Sequence, residues 1–140
     1  MLKIFKNSKK NIKKVFISTP FNGFDKDHIL NNIETMHAIA ESVFGQRLIA
    51  VHNYKQYRRR KNTKMRLFFM SMALKKMSST DYFIGIQGNT YKNNGCRIER
   101  EIASAYYDTA EIFLINDAQL QHNAYTQSWT DQEKYSQEQN

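Results

Sequence analysis

Four short runs rich in β-branched and aromatic residues recur along this chain, and each is separated from the next by enough sequence for a helix. They occupy residues 15–19, 48–51, 81–88 and 112–115, and the third is closed by Gly88. Apolar runs of this length, bounded by turn residues, read as buried strands. Between the first two, Ile29, Ile33, Met36, Ala40 and Val43 fall on one face of a helix that Asp25 or Asp27 can cap and Gly45 can end. Between the second and third, residues 65–77 carry Met65, Leu67, Phe68, Phe69, Met70, Met72, Leu74 and Met77, an apolar surface covering most of a helix. Between the third and fourth, Ile98, Ile102 and Ala105 again have helical spacing. Strands alternating with helices pair in parallel, and each crossover is right-handed.

The simplest arrangement is an α/β three-layer sandwich of flavodoxin- or Rossmann-like type. Its parallel sheet has the order 2-1-3-4, and the tail reads either as a further strand or docking helix or as a disordered segment. Residues 1–14 form a basic extension, 15–118 the α/β domain and 119–140 a polar, Gln-rich tail. With 140 residues and one proline the chain is large enough for one real core. Its single cysteine excludes an internal disulfide and suits a reducing compartment. No apolar run is long enough to cross a bilayer, and the N-terminus lacks the apolar core of a secretory signal. These features lead to the expectation of a cytoplasmic protein with no membrane partner.

In this topology ligands bind beyond the C-terminal ends of the strands, where the strand order reverses. The loops after strands one and three meet there, which brings Phe21, Gly23, Gly88 and Glu99 around one crevice. The third loop ends in Asn93-Asn94-Gly95, and either Asn can cap the helix that follows. Glu99 is then expected in the first turn, where the helix dipole favours an ionised carboxylate. The same Glu also reads as a surface residue that only stabilises its own helix. His52, at the end of the second strand, reads as a packing residue.

The segment from Gln87 through Gly95 to Cys96-Arg97-Ile98-Glu99, followed by a helix of small residues, resembles the nucleoside 2-deoxyribosyltransferase superfamily. The resemblance is greatest to its small, often phage-borne members and spans roughly residues 14–116. It implies that Gly95 and Glu99 stand in a G-x-x-x-E segment whose Glu is the nucleophile on the sugar. It further implies a nucleoside or nucleoside 5′-monophosphate substrate, N-glycosidic cleavage or transfer, and no metal or cofactor. Ser18, Thr19 and Gly23 then approach the ligand with Phe21 against the base, and Gly88, Asn94 and Gly95 complete the pocket. Members of the family complete their pockets across subunits, so a homodimer or larger oligomer is expected, with part of helix 65–77 buried in it.

One position departs from the pattern. Family members commonly carry a carboxylate eight residues before the Asp that opens the third strand; here that place is Ala73, ahead of Asp81. Asp25, Asp27 or Asp81 would have to substitute. The departure favours a non-catalytic member that binds or sequesters a nucleotide. The net charge of +8 supports a third reading, a nucleic-acid-binding module using Arg58, Arg59, Arg60 and Lys61 with Tyr54 and Tyr57 between bases.

Overall fold

The computed structural model describes residues 11–21, 23–57, 62–87 and 94–116. Four strands, β1 (Lys13–Ile17), β2 (Leu48–Val51), β3 (Tyr82–Ile86) and β4 (Ile112–Ile115), form one sheet of order β2-β1-β3-β4. Every pairing is parallel: Val15 lies opposite both Ala50 and Tyr82, and Ile84 opposite Phe113. Helix α1 (Lys26–Phe44) connects β1 to β2, the short α2 (Tyr54–Tyr57) and α3 (Thr63–Met77) lead to β3, and α4 (Asn94–Tyr106) leads to β4. This is the three-layer α/β sandwich and strand order that the alternation of runs requires.

Strand alternation divides the core in two. Val15 and Ile17 of β1, Ile84 and Ile86 of β3, and Ile115 of β4 face α1, where Ile29, Ile33, Met36 and Ala40 cover them. Phe16 and Phe83 face the other way and pack against Ala73 and Met77 of α3 and Ala103 of α4. Their rings stack with centroids 6.0 Å apart.

The ends of α1 follow their local chemistry. Asp25 is the cap, accepting a hydrogen bond from the His28 N–H at 2.9 Å, while Asp27 sits exposed in the first turn. Gly45 closes the helix with φ of 68°, a conformation that a side chain disfavours.

Several expectations about the elements are corrected: Val43 on α1 is 44 % exposed, and on α4 Ala103 is buried while Ala105 is exposed. β1 begins at Lys13 and ends at Ile17, two residues earlier than the apolar run. Ladder bonds need only backbone groups, so Lys13 and Lys14 pair with Leu48 and Ile49 while their side chains stay exposed. The segment after β2, which carries Tyr54 and Tyr57, opens with the helical turn α2, where the basic composition of 54–64 reads as a loop. On α3 only Ala73 and Met77 are buried, whereas Leu67 and Phe68 remain 67 % and 60 % exposed. A sheet covers one stripe of a helix, so Met70 still packs on the core while Leu67, Phe68 and Leu74 face outward.

Residues 58–61, Gly88, the N-terminal residues 1–10 and the tail from 117 lie outside the described residues. The expectations placed on Arg58, Arg59, Arg60, Lys61, Gly88 and the tail lie with them.

Candidate functional site

The site is built where β1 and β3 end side by side. The ladder continues one step past β1, with the Ser18 N–H bonded to the Ile84 carbonyl at 2.9 Å. Ser18 therefore keeps strand geometry and points, like Phe16 two residues earlier, toward the layer that contains α4. There its hydroxyl donates to Oε1 of Glu99 at 2.6 Å. Both residues are buried, Ser18 at 2 % and Glu99 at 9 % exposure. A hydrogen bond joining residues so distant in sequence, inside an apolar layer, exists only because parallel pairing sets β1 beside β3.

α4 is held in register by its own side chains. Arg100 Nη1 donates to the Ile86 carbonyl at 2.8 Å, fastening the helix to the C-terminal end of β3. Cys96 lies three residues before Glu99, one helical turn away and close enough for the two to interact electrostatically.

Electrostatics distinguish this carboxyl from a surface one. Burial pushes the Glu99 titration up from its ordinary 4.5 to about 7, and the Ser18 hydrogen bond opposes the rise without cancelling it. Burial, and next the charge of Glu99, hold the Cys96 thiol far above its ordinary range, so it is not a thiolate nucleophile at neutral pH.

The expected position of Glu99 is corrected here. α4 starts at Asn94, so Glu99 falls in its second turn, and the first turn holds no acidic residue. The unsatisfied N–H groups of the helix end are thus not its stabilisers. The contact with Ser18 and the depth of burial set its charge.

The other expected site residues take varied positions. Thr19 is 3 % exposed and follows Ser18, so alternation turns it toward α1. Phe21 is half-buried and meets the Tyr54 ring edge-on at 5.6 Å, which ties the loop after β1 to α2 after β2. Gly23 is exposed with φ of 86° and forms a turn. Asn94 and Gly95 open α4, the first exposed and the second half-buried.

None of the three substitute carboxylates occupies a matching place. Asp81 lies at the opposite end of the sheet, where its side chain accepts from the Lys14 N–H at 2.9 Å. Asp25 is engaged as the α1 cap, and its bonds to the backbone and ring of His28 hold it below the usual carboxylate range. Asp27 is exposed on α1. Ala73 is fully buried among Phe16, Met77, Phe83 and Ala103, a place that accepts no charge without disruption. His52 is half-buried and accepts from the Tyr54 N–H at 3.3 Å. Burial, with Lys76 nearby, lowers its titration and keeps it neutral, in line with a packing role.

Asn32 was not recognised from sequence. It is fully buried on α1, and neither atom of its amide has a hydrogen-bond partner among the described residues. The signal was there: Asn32 sits three residues after Ile29 and four before Met36, a polar residue inside an apolar stripe.

Among the described residues no three His, Cys, Asp or Glu side chains gather as metal ligands, and no helix is long and apolar enough to cross a membrane. No family model, curated protein or solved structure matches this chain.

Proposed function

We propose that the chain cleaves or transfers the N-glycosidic bond of a nucleoside or nucleoside 5′-monophosphate, with Glu99 as nucleophile. The observation that carries this reading is the buried Ser18–Glu99 hydrogen bond at the C-terminal ends of β1 and β3. It supports the activity expected from the likeness to nucleoside 2-deoxyribosyltransferases, because open α/β folds bind ligands beyond the C-terminal ends of their strands, the end at which this carboxyl lies.

Ser18 holds Oε1 and leaves Oε2 for attack at the anomeric carbon. The new C–O bond forms as the C–N bond breaks, and the electron pair of the C–N bond passes to the base, which takes a proton from solvent and departs. Water then hydrolyses the glycosyl ester, releasing the sugar and restoring the carboxylate; a second base in place of water gives transfer. Only ionised Glu99 attacks, so the rate rises with pH through about 7.

The test is a chromatographic search for free base across ribo- and deoxyribonucleosides and their 5′-monophosphates, with Glu99→Gln as control. Base release that disappears in Glu99→Gln supports the reading. Release at the parent rate in that variant removes Glu99 from the mechanism.

A second reading, nucleotide binding without turnover, is favoured by Ala73, which fills with a methyl group the place where the family pattern has a carboxylate. Nucleotide binding with no base released by the parent protein selects it.

A further inference from the structure

Residues 42–80 contain ten lysines and arginines and no aspartate or glutamate, more positive charge than the net +8 of the whole chain. Helix α3 lies wholly within this stretch. Its outward face presents Leu67, Phe68 and Leu74, the last 36 % exposed, with Lys64 and Lys75 exposed beside them. Leu67 and Leu74 are seven residues apart, as are Phe68 and Lys75, and Lys64 precedes Phe68 by one turn. All five therefore line one side of the helix. Among the described residues neither lysine has an ion-pair partner. An apolar ridge flanked by uncompensated cations fits an occupant that combines aromatic and acidic side chains.

Residues 117–140 of the same chain have that composition. They hold Asp117, Asp131, Glu133 and Glu138 against a single lysine, and the chain's one tryptophan, Trp129, stands two residues before Asp131. The segment also starts within reach. It follows β4, and α4 and α3 share one layer over Phe83. The Tyr107 hydroxyl, just after α4, donates to the Met77 carbonyl of α3 at 2.7 Å, so the two helices lie side by side. The outer face of α3 is then about two helix widths, ~20 Å, from the end of β4. Thirteen residues lead from Asn116 to Trp129, and extended they span about 40 Å. A tether of this kind holds its segment at an effective concentration of about millimolar. A second copy presenting the same face would instead set Lys64 and Lys75 against like charges.

We propose that residues 117–140 dock onto the outward face of their own chain's α3, with Trp129 against Leu67, Phe68 and Leu74, and Asp131 and Glu133 beside Lys64 and Lys75. This contact is independent of the glycosidase reading.

Trp129 is the only indole, so its fluorescence in the 140-residue chain reports the contact directly. The parent is expected to show an emission blue-shifted from that of N-acetyltryptophanamide and protection from acrylamide quenching. Leu67→Ser combined with Phe68→Ser should shift the emission to that of the free indole and abolish the protection. Both side chains are exposed, so far-ultraviolet circular dichroism should stay that of the parent. Lys64→Glu with Lys75→Glu should likewise lose the protection without touching the core. Adding Asp131→Lys and Glu133→Lys to that pair should restore it, a rescue that requires the two segments to meet.

A parent Trp129 as solvated as the free indole overturns the docking. Sedimentation with phosphatidylserine vesicles that is lost in the Leu67→Ser, Phe68→Ser variant would then assign the face to an anionic membrane. A protected Trp129 that none of the α3 changes moves also overturns the proposal, since the segment then packs elsewhere. Protection that grows with protein concentration, together with a dimer's mass by light scattering, overturns docking within one chain and gives the contact to a second copy. Protection that is independent of concentration, lost in both α3 variants and restored by the reversed charges sustains it.

Discussion

Replacing Glu99 with Gln tests the electrostatics of the site without requiring a substrate. In the folded chain the carboxyl titrates near 7, against 4.5 when free of the fold. Between these values the folded state binds a proton that the unfolded state has released. Stability therefore falls as pH rises through that window and levels off above it. At about 1.4 kcal/mol per pH unit, ionising the buried carboxyl removes roughly 3 kcal/mol by pH 8. Glutamine has nearly the same shape, can accept the Ser18 hydroxyl and does not ionise. The stability of Glu99→Gln relative to the parent should thus be nearly constant below pH 4.5 and rise by roughly 3 kcal/mol toward pH 8. Urea unfolding followed by far-ultraviolet circular dichroism at pH 4, 6 and 8 measures the difference directly, and groups common to both proteins cancel. A difference that stays flat with pH, or that favours the parent at pH 8, refutes a buried carboxyl whose charge is opposed by the fold.

Ser18→Ala removes the hydrogen bond that opposes burial. It should raise the Glu99 titration further, by about one to two units for a bond to a charged group, moving the pH profile of base release alkaline; an unmoved profile denies the contact. Ala73→Asp places a carboxylate among Phe16, Met77, Phe83 and Ala103 and should destabilise by about 3–5 kcal/mol rather than restore activity, as read from the urea midpoint. Asp25→Ala deletes the cap of α1 and should cost about 1 kcal/mol in the same assay. Self-association, if it uses the outer face of α3, should be lost when Leu67 and Phe68 are both changed to Glu. Light scattering reads this, and a parent protein that is monomeric at high concentration rules the interface out.

The periodicity of the chain was sufficient for its architecture. Short β-rich runs separated by helical stripes admit few arrangements, because parallel strands need crossovers and crossovers have one hand. Asp25, Gly45 and the α1 stripe as far as Ala40 were readable for the same reason: caps and amphipathic faces depend on neighbours within a turn or two, whereas Val43 at the helix end is 44 % exposed. The site was only partly readable. Glu99 could be singled out, but its partner and its charge could not, since the Ser18 contact arises from two strand ends set side by side by tertiary pairing. The position of Glu99 on α4 depended on where the helix starts, which local signals place poorly. The outward face of α3 and the unsatisfied amide of Asn32 were likewise decided by packing. Spacing places a residue on a stripe, but whether that stripe meets sheet, solvent or nothing able to bond it depends on which elements come to lie against it.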